Sequence, residues 1–272
     1  MKKIRLDLLL VERRLAASRS LAQRLVMAGK VRVNGETVLR SSATILVEAQ
    51  ITVEQGPPFV SRGGEKLEAA IQAFDIQVQG LVCADVGAST GGFTDCLLQH
   101  GAVKVYSMDV GRGILDWKLR RDERVVVMEN TNARFVESLP ERVQMVTIDV
   151  SFISLKVILP VVLDWFQGSS GSVIALIKPQ FEAGRQEVSR GKGVIRNPAV
   201  HHQVLLDILE SASEVGFSVN GLIRSPLMGP KGNTEFLAWL ETGGTQRAII
   251  DALVEAVVPL GDGDPSTPPS GR

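Results

Sequence analysis

Hydrophobic and polar positions change period along the chain, and the changes divide it into segments. Over residues 4–16 apolar positions recur at helical spacing, with Ile4, Leu8, Leu9 and Leu15 on one face and Arg13 and Arg14 off it. Ser18 is placed to cap a second helix over residues 19–28, which Gly29 stops. A strand at 30–33 enters an Asn34-Gly35 turn, and residues 47–53 supply another strand. Residues 1–55 therefore predict two short helices and a hairpin. Residues 56–61, with Pro57 and Pro58, read as a short stiff linker.

From residue 62 to about 258 the pattern is that of an α/β domain. A helix to about Phe74 precedes strands at 81–86, 103–109, 125–128, 143–148 and 173–177, with helical or loop segments between them. The first of these strands is apolar on both faces, as in the centre of a parallel sheet covered by helices on each side. Helices are predicted at 155–166, 198–215 and 245–258, and residues 217–225 and 235–240 read as a strand pair. The expectation is seven strands alternating with helices, the last two forming a hairpin. Residues 183–197 read as a long polar loop, and 259–272, rich in Pro, Gly and Ser, as a disordered tail.

Chemistry enters where the first strand of this domain ends. Asp85, Gly87, Ala88, Ser89, Thr90, Gly91, Gly92 and Phe93 form a glycine-rich turn opening a helix, at the strand end where open α/β sheets hold ligands. Asp109 ends the second strand 24 positions after Asp85, near the offset of about 20 at which a carboxylate grips ribose hydroxyls. Gly-Lys-Ser/Thr and G-x-G-x-x-G are both absent, so a nucleoside without a pyrophosphate fits better, with S-adenosylmethionine as the expected cofactor. Glu129 and Asn130, after the third strand, are placed beside its base.

Composition narrows the classes. No run of 18 apolar residues exists in the 272, and the apolar stretch at 8–11 is too short for a secretory signal. Two cysteines, Cys83 and Cys96, lack metal-ligand spacing, which predicts a reduced cytoplasmic protein with no metal and no membrane contact. The zero net charge hides an asymmetry, because residues 1–60 hold ten Lys/Arg against five Asp/Glu. A basic module on a mildly acidic domain suggests a polyanionic partner.

The stretch RLDLLLVERRLAASRSLAQRLVMAGKVRVNGETV resembles the S4 RNA-binding domain. That resemblance makes Arg5, Arg19, Arg24, Lys30 and Arg40 the candidate phosphate contacts, which position a protein without reading bases. In the larger domain, Lys66 precedes the first strand, Asp149 ends the fourth, Lys178 ends the fifth and Glu235 opens the seventh. The set resembles the Lys-Asp-Lys-Glu tetrad of FtsJ-type ribose 2′-O-methyltransferases, on the sheet of the class I methyltransferases. Such a reaction must align the ribose oxygen with a sulfonium methyl and take up a proton during transfer. Lys178 is the expected base: partial burial and the Lys66 ammonium favour its neutral form, Asp149 and Glu235 favour the charged one, and the sequence does not decide between them. The two carboxylates are expected to orient the lysines, with Asp149 also near the methyl group.

With SRGGEKL, DVGASTGGFTD, GILDWKLR and IDVSFISL added, residues 4–255 resemble the TlyA family. Its members are called hemolysin A and act as 2′-O-methyltransferases on cytidines of small- and large-subunit ribosomal RNA, which implies ribosomal RNA or ribosomal subunits as the partner. Two other classes stay open. One is a noncatalytic ribosome-binding or assembly factor. The other is a membrane-lytic protein, suggested only by the hemolysin name.

Overall fold

A computed structural model describes residues 2–54, 56–242 and 247–260. Most of the predicted tail, residues 261–272, lies outside the described residues. So do residues 243–246, where the last helix was expected to begin. The chain forms two compact units, Met1–Pro58 and Phe59–Arg272.

The first unit runs β1 (Lys3–Arg5), α1 (Leu6–Glu12), α2 (Arg19–Met27), β2 (Val31–Val33), β3 (Glu36–Thr37), β4 (Thr44–Leu46) and β5 (Ile51–Val53). Ser18 Oγ caps α2 by accepting from the Leu21 amide at 3.3 Å. Asn34 and Gly35 both take positive φ in the β2–β3 turn, as a tight hairpin requires. β2 pairs antiparallel with β3 and β5, and β1 with β4. Leu6, Leu9, Leu10, Ala22, Val26 and Val31 build the core.

Two expectations fail here. The first helix is shorter than residues 4–16, because Ile4 is captured by strand pairing with Ile45 and Arg14 turns the chain at φ 59°. Leu8 and Leu15, predicted inward, are 39% and 37% exposed. The predicted strand at 47–53 begins only at Ile51. Before it the chain turns, the Ala49 amide donating to the Leu46 carbonyl at 3.0 Å.

The second unit runs α3 (Gly63–Phe74), β6 (Val82–Val86), α4 (Gly92–Gln99), β7 (Lys104–Met108), α5 (Trp117–Arg120), β8 (Val125–Met128), β9 (Met145–Ile148), α6 (Leu155–Trp165), β10 (Ser172–Ile177), α7 (Pro179–Glu182), α8 (Arg185–Arg190), α9 (Pro198–Val215), β11 (Phe217–Arg224), β12 (Phe236–Thr242) and α10 (Arg247–Val257). Its seven strands lie in the order β11-β12-β10-β9-β6-β7-β8. β12 is antiparallel to both neighbours and the remaining pairs are parallel. This is the mixed α/β sheet of the class I methyltransferases, as the sequence pattern predicts.

Alternate strand residues feed two cores, one on each face of the sheet. On β10, Val173, Ala175 and Ile177 join α6 and α9 residues, while Ile174 and Leu176 join α3 and α4 residues such as Leu67 and Leu97. Burial of both faces explains why these strands read as nearly continuous apolar runs. Chain order reverses between β6 and β9, which opens a crevice beyond their carboxyl ends.

The polar stretch 183–197 is not a plain loop. Between Gly184 and Gly191 it forms α8, whose Arg-Gln-Glu start has good helix propensity. Beyond α8 the chain is pinned by buried Asn233, which donates to the Gly193 carbonyl and accepts from the Ile195 amide, both at 2.9 Å. His201 adds a contact from Nε2 to the Ile195 carbonyl at 3.1 Å.

Candidate active site

The glycine turn is knitted to the neighbouring strand, since the Gly87 and Ala88 amides donate to the Met108 carbonyl at 2.8 and 3.0 Å. At Gly87 φ is +85°, and an added Cβ would stand 2.5 Å from the Asp149 carbonyl oxygen. Only glycine fits there. Gly91 caps α4 at φ 96°, in the left-handed region. Asp109 holds the turn through its side chain, accepting from the Ser89 amide at 2.8 Å and the Gly111 amide at 2.7 Å.

Two cavities flank this turn. One of about 570 Å³ is lined by Gly87, Ser89, Asp109, Ile114, Asn132 and Asp149 among others. A second, about 240 Å³, is lined by Arg62, Lys66, Gly87, Ala88, Ser89, Thr90, Gly92, Phe93 and Asp149. The residues present fit S-adenosylmethionine: a carboxylate for ribose hydroxyls at Asp109, apolar Ile114 with the Asn132 amide for a base, and Arg62 for a carboxylate. Ser61, which also lines the second cavity, Arg62 and Asn132 were not predicted as site residues from sequence. Ser61 and Arg62 stand in the SRGGEKL stretch just before α3, and Asn132 just after β8.

Four predicted cofactor residues line neither cavity: Gly91, which turns the chain into α4, and Asp85, Glu129 and Asn130. Asp85 is fully buried and lines none of these cavities. Its oxygens accept from Thr94 Oγ1 at 2.6 Å and Thr147 Oγ1 at 3.0 Å, so it bolts the strand to its neighbours. Burial pushes the Asp85 carboxyl up to about 6; the two threonine hydroxyls oppose the shift and the Asp149 charge adds to it. Glu129 pairs with Arg120 and accepts from the Gly113 amide at 2.6 Å. Asn130 turns the chain at φ 50°, which delivers Thr131 and Asn132 to the cavity in its place.

The four tetrad candidates share a third cavity of about 520 Å³, together with Ser151, Phe152, Gln180 and Phe181. Lys66 Nζ donates to Glu235 Oε2 at 2.6 Å, with Glu235 1% exposed. Lys178 Nζ lies 2.5 Å from Asp149 Oδ1, close enough for an ion pair but without hydrogen-bond alignment. It also donates to Ser151 Oγ at 3.1 Å. Each lysine thus has its own carboxylate. Asp149 lines all three cavities.

Two further features mark this cavity. Phe152 is 89% exposed at φ 65°, a costly conformation for a bulky residue, and its ring lies 4.7 Å from that of Phe181. Gln180 Oε1 is buried without a hydrogen-bond partner, so a donor from a bound molecule would satisfy it.

In the first unit the five candidate phosphate contacts separate into two kinds. Arg5 and Arg19 are committed to the fully buried Asp7, Arg5 through two bonds at 3.0 and 2.9 Å and Arg19 through one at 3.0 Å, with Gln23 adding a fourth at 2.9 Å. The Arg5 guanidinium and these other donors hold the Asp7 carboxyl well below the usual range, against the opposing effect of burial. Arg24 and Arg40 are exposed and Lys30 is half-buried, with Arg40 bonded only locally to Ser42 at 3.1 Å.

Comparison with known proteins agrees with this architecture. Residues 59–242 match the FtsJ-like methyltransferase family and residues 4–51 the S4 domain. A candidate rRNA methyltransferase of Bacillus subtilis, YqxC, is 47% identical over 89% of this chain and 87% of its own. The 16S/23S rRNA (cytidine-2′-O)-methyltransferase TlyA of Mycobacterium tuberculosis is 42% identical over 94% and 96%. The structure of a candidate hemolysin from Streptococcus thermophilus superposes with a TM-score of 0.69 at 41% identity, covering 94% of this chain and 96% of that one. No described helix is long and apolar enough to cross a membrane. An S4 domain ahead of an S-adenosylmethionine-dependent, FtsJ-like catalytic domain places this chain in the TlyA family of methyltransferases.

Proposed function

We propose that the protein methylates the ribose 2′-hydroxyl of cytidine in ribosomal RNA, with Lys66, Asp149, Lys178 and Glu235 as the reacting quartet. The observation that carries this reading is the convergence of those four side chains, from α3, the ends of β9 and β10, and the start of β12, on one cavity beside the cofactor turn.

S-adenosylmethionine supplies, when bound, a methyl group already activated on a sulfonium. The remaining tasks belong to the chain. Lys178 Nζ, steadied by Asp149 on one side and Ser151 on another, faces the cavity; after its ammonium has released a proton to solvent, the neutral amine takes the 2′-hydroxyl proton as the methyl group is transferred. Asp149, bordering cofactor and substrate spaces alike, fixes the register between them. Lys66, held by Glu235, positions the ribose oxygen through its remaining N–H groups. Phe152 offers an exposed ring on which a base turned out of its stack can lie, and Gln180 Oε1 supplies an acceptor for an exocyclic amine. In the first unit Arg24, Lys30 and Arg40 grip phosphates, while Arg5 and Arg19 chiefly hold Asp7. Action inside the cytoplasm, where ribosomal RNA is found, follows from this substrate.

The experiment is to map ribose methylation on ribosomal RNA after incubating small and large subunits with the protein and S-adenosylmethionine. A new 2′-O-methylcytidine is expected. Cofactor binding with no methyl appearing on either subunit would favour the noncatalytic assembly role instead.

A further inference from the structure

On the face of α3 turned away from the tetrad cavity, a second group of side chains has no part in the reaction above. Cys96 and His100 are four residues apart, so both project from the same side of α4 and its C-cap toward α3. Glu68, two positions beyond Lys66, meets them from α3. The donor atoms of all three lie within 4.8 Å of one another. His100 Nε2 is 2.5 Å from Glu68 Oε2, and Cys96 Sγ is 3.7 Å from the same oxygen.

We propose that Glu68, Cys96 and His100 form a zinc-binding site that staples α3 to α4. Thiolate, imidazole and carboxylate are the donors zinc takes, at about 2.3 Å from sulfur and about 2.1 Å from nitrogen and oxygen. Donors on one tetrahedral ion then lie roughly 3.3–3.7 Å apart. The Cys96–Glu68 separation already suits that geometry. The His100–Glu68 separation must open by about 1 Å, and both side chains have room for it at 31% and 28% exposure. That exposure gives the ion its entry path and leaves the fourth position to water.

Binding of a divalent ion takes the place of the Cys96 proton: the S–H bond breaks, sulfur binds the metal, and the proton leaves to solvent. The site joins the helix that carries Lys66 to the helix that the glycine turn opens, so an ion there would fix the spacing of two catalytic-domain elements without touching substrate.

Titration of the metal-free full-length protein with Zn²⁺, and with Co²⁺ as a spectroscopic probe, tests the proposal. One equivalent should bind with micromolar or tighter affinity, Co²⁺ should give thiolate charge-transfer absorption in the near ultraviolet, and Zn²⁺ should raise Tm. Cys96→Ser and His100→Gln should each weaken Zn²⁺ binding at least tenfold, and Cys83→Ser should leave it intact. Absence of a saturable 1:1 site in the unmodified protein overturns the proposal whatever the variants do. Binding that survives both Cys96→Ser and His100→Gln overturns it as well.

Discussion

Lys66 Nζ lies 2.6 Å from Glu235 Oε2, joining α3 to the start of β12 across 169 residues of chain. The bond is almost dry, with side-chain exposures of 11% and 1%. Two such charges are costly to desolvate and are retained where their pairing fixes something a hydrophobic pair cannot. Here the pair fixes the direction of an ammonium group at the wall of the catalytic cavity. Lys178 and Asp149 form the corresponding pair opposite.

Glu235→Gln keeps the shape and removes the counter-charge. It should destabilise the catalytic unit by about 3 kcal/mol, the usual result of leaving one member of a buried pair uncompensated. Methyl transfer should fall about 100-fold, with cofactor affinity changed far less. Thermal unfolding, a methyl-transfer assay and isothermal titration of the cofactor measure the three effects separately.

Asp85 gives the catalytic unit a stability that depends on pH in a defined direction. Its folded-state pKa is raised to about 6, so the folded protein keeps a proton there that the unfolded chain releases near pH 4. The group's contribution is fully present below pH 4 and is lost as pH rises through 6, a difference of about 3 kcal/mol. Subtracting the stability of Asp85→Asn from that of the wild type, pH by pH, should show this fall. A flat difference from pH 4 to 7.5 would contradict it.

Asp7 has the opposite sign. Its depressed pKa makes the S4 unit's stabilisation complete above about pH 4 and lost as pH falls below that value. Asp7→Asn should therefore be harmful at neutral pH and progressively less so in acid, as followed by chemical denaturation of the first unit.

Arg24 and Arg40 are free to meet phosphate in a way that Arg5 and Arg19 are not. Arg24→Gln and Arg40→Gln should each lower the slope of log K against log salt for RNA binding by about 0.7–0.9, without unfolding the domain. Arg19→Gln should act mainly through stability, because it strips a donor from buried Asp7. Salt-dependent RNA binding with parallel melting curves distinguishes the two behaviours.

Much of this was readable in the sequence because the responsible forces are local or periodic. Both-face burial wrote continuous apolar strands, and the required positive φ at Gly87 wrote a glycine turn. Three of the tetrad residues were visible as charged groups at strand ends, and Lys66 as a lysine in the first turn of a helix. What could not be read was which carboxylate served which lysine, since pairing across 169 residues leaves no local trace. Asp85 misled for a related reason: a strand-end acid looks the same whether it faces a ligand or two threonines on neighbouring elements. Asn130 misled because one left-handed residue moves the cavity lining on by one or two positions. The grouping of Glu68 with Cys96 and His100 escaped notice because helix packing, and not spacing, brings the glutamate in.

The role of Lys178 decides the central claim. Transfer of labelled methyl from S-adenosylmethionine to ribosomal subunits, measured for Lys178→Ala beside cofactor affinity, separates chemistry from binding. The account predicts a loss of at least 100-fold in transfer with cofactor affinity within a few-fold of the wild type. A variant that methylates ribose at the wild-type rate would contradict it.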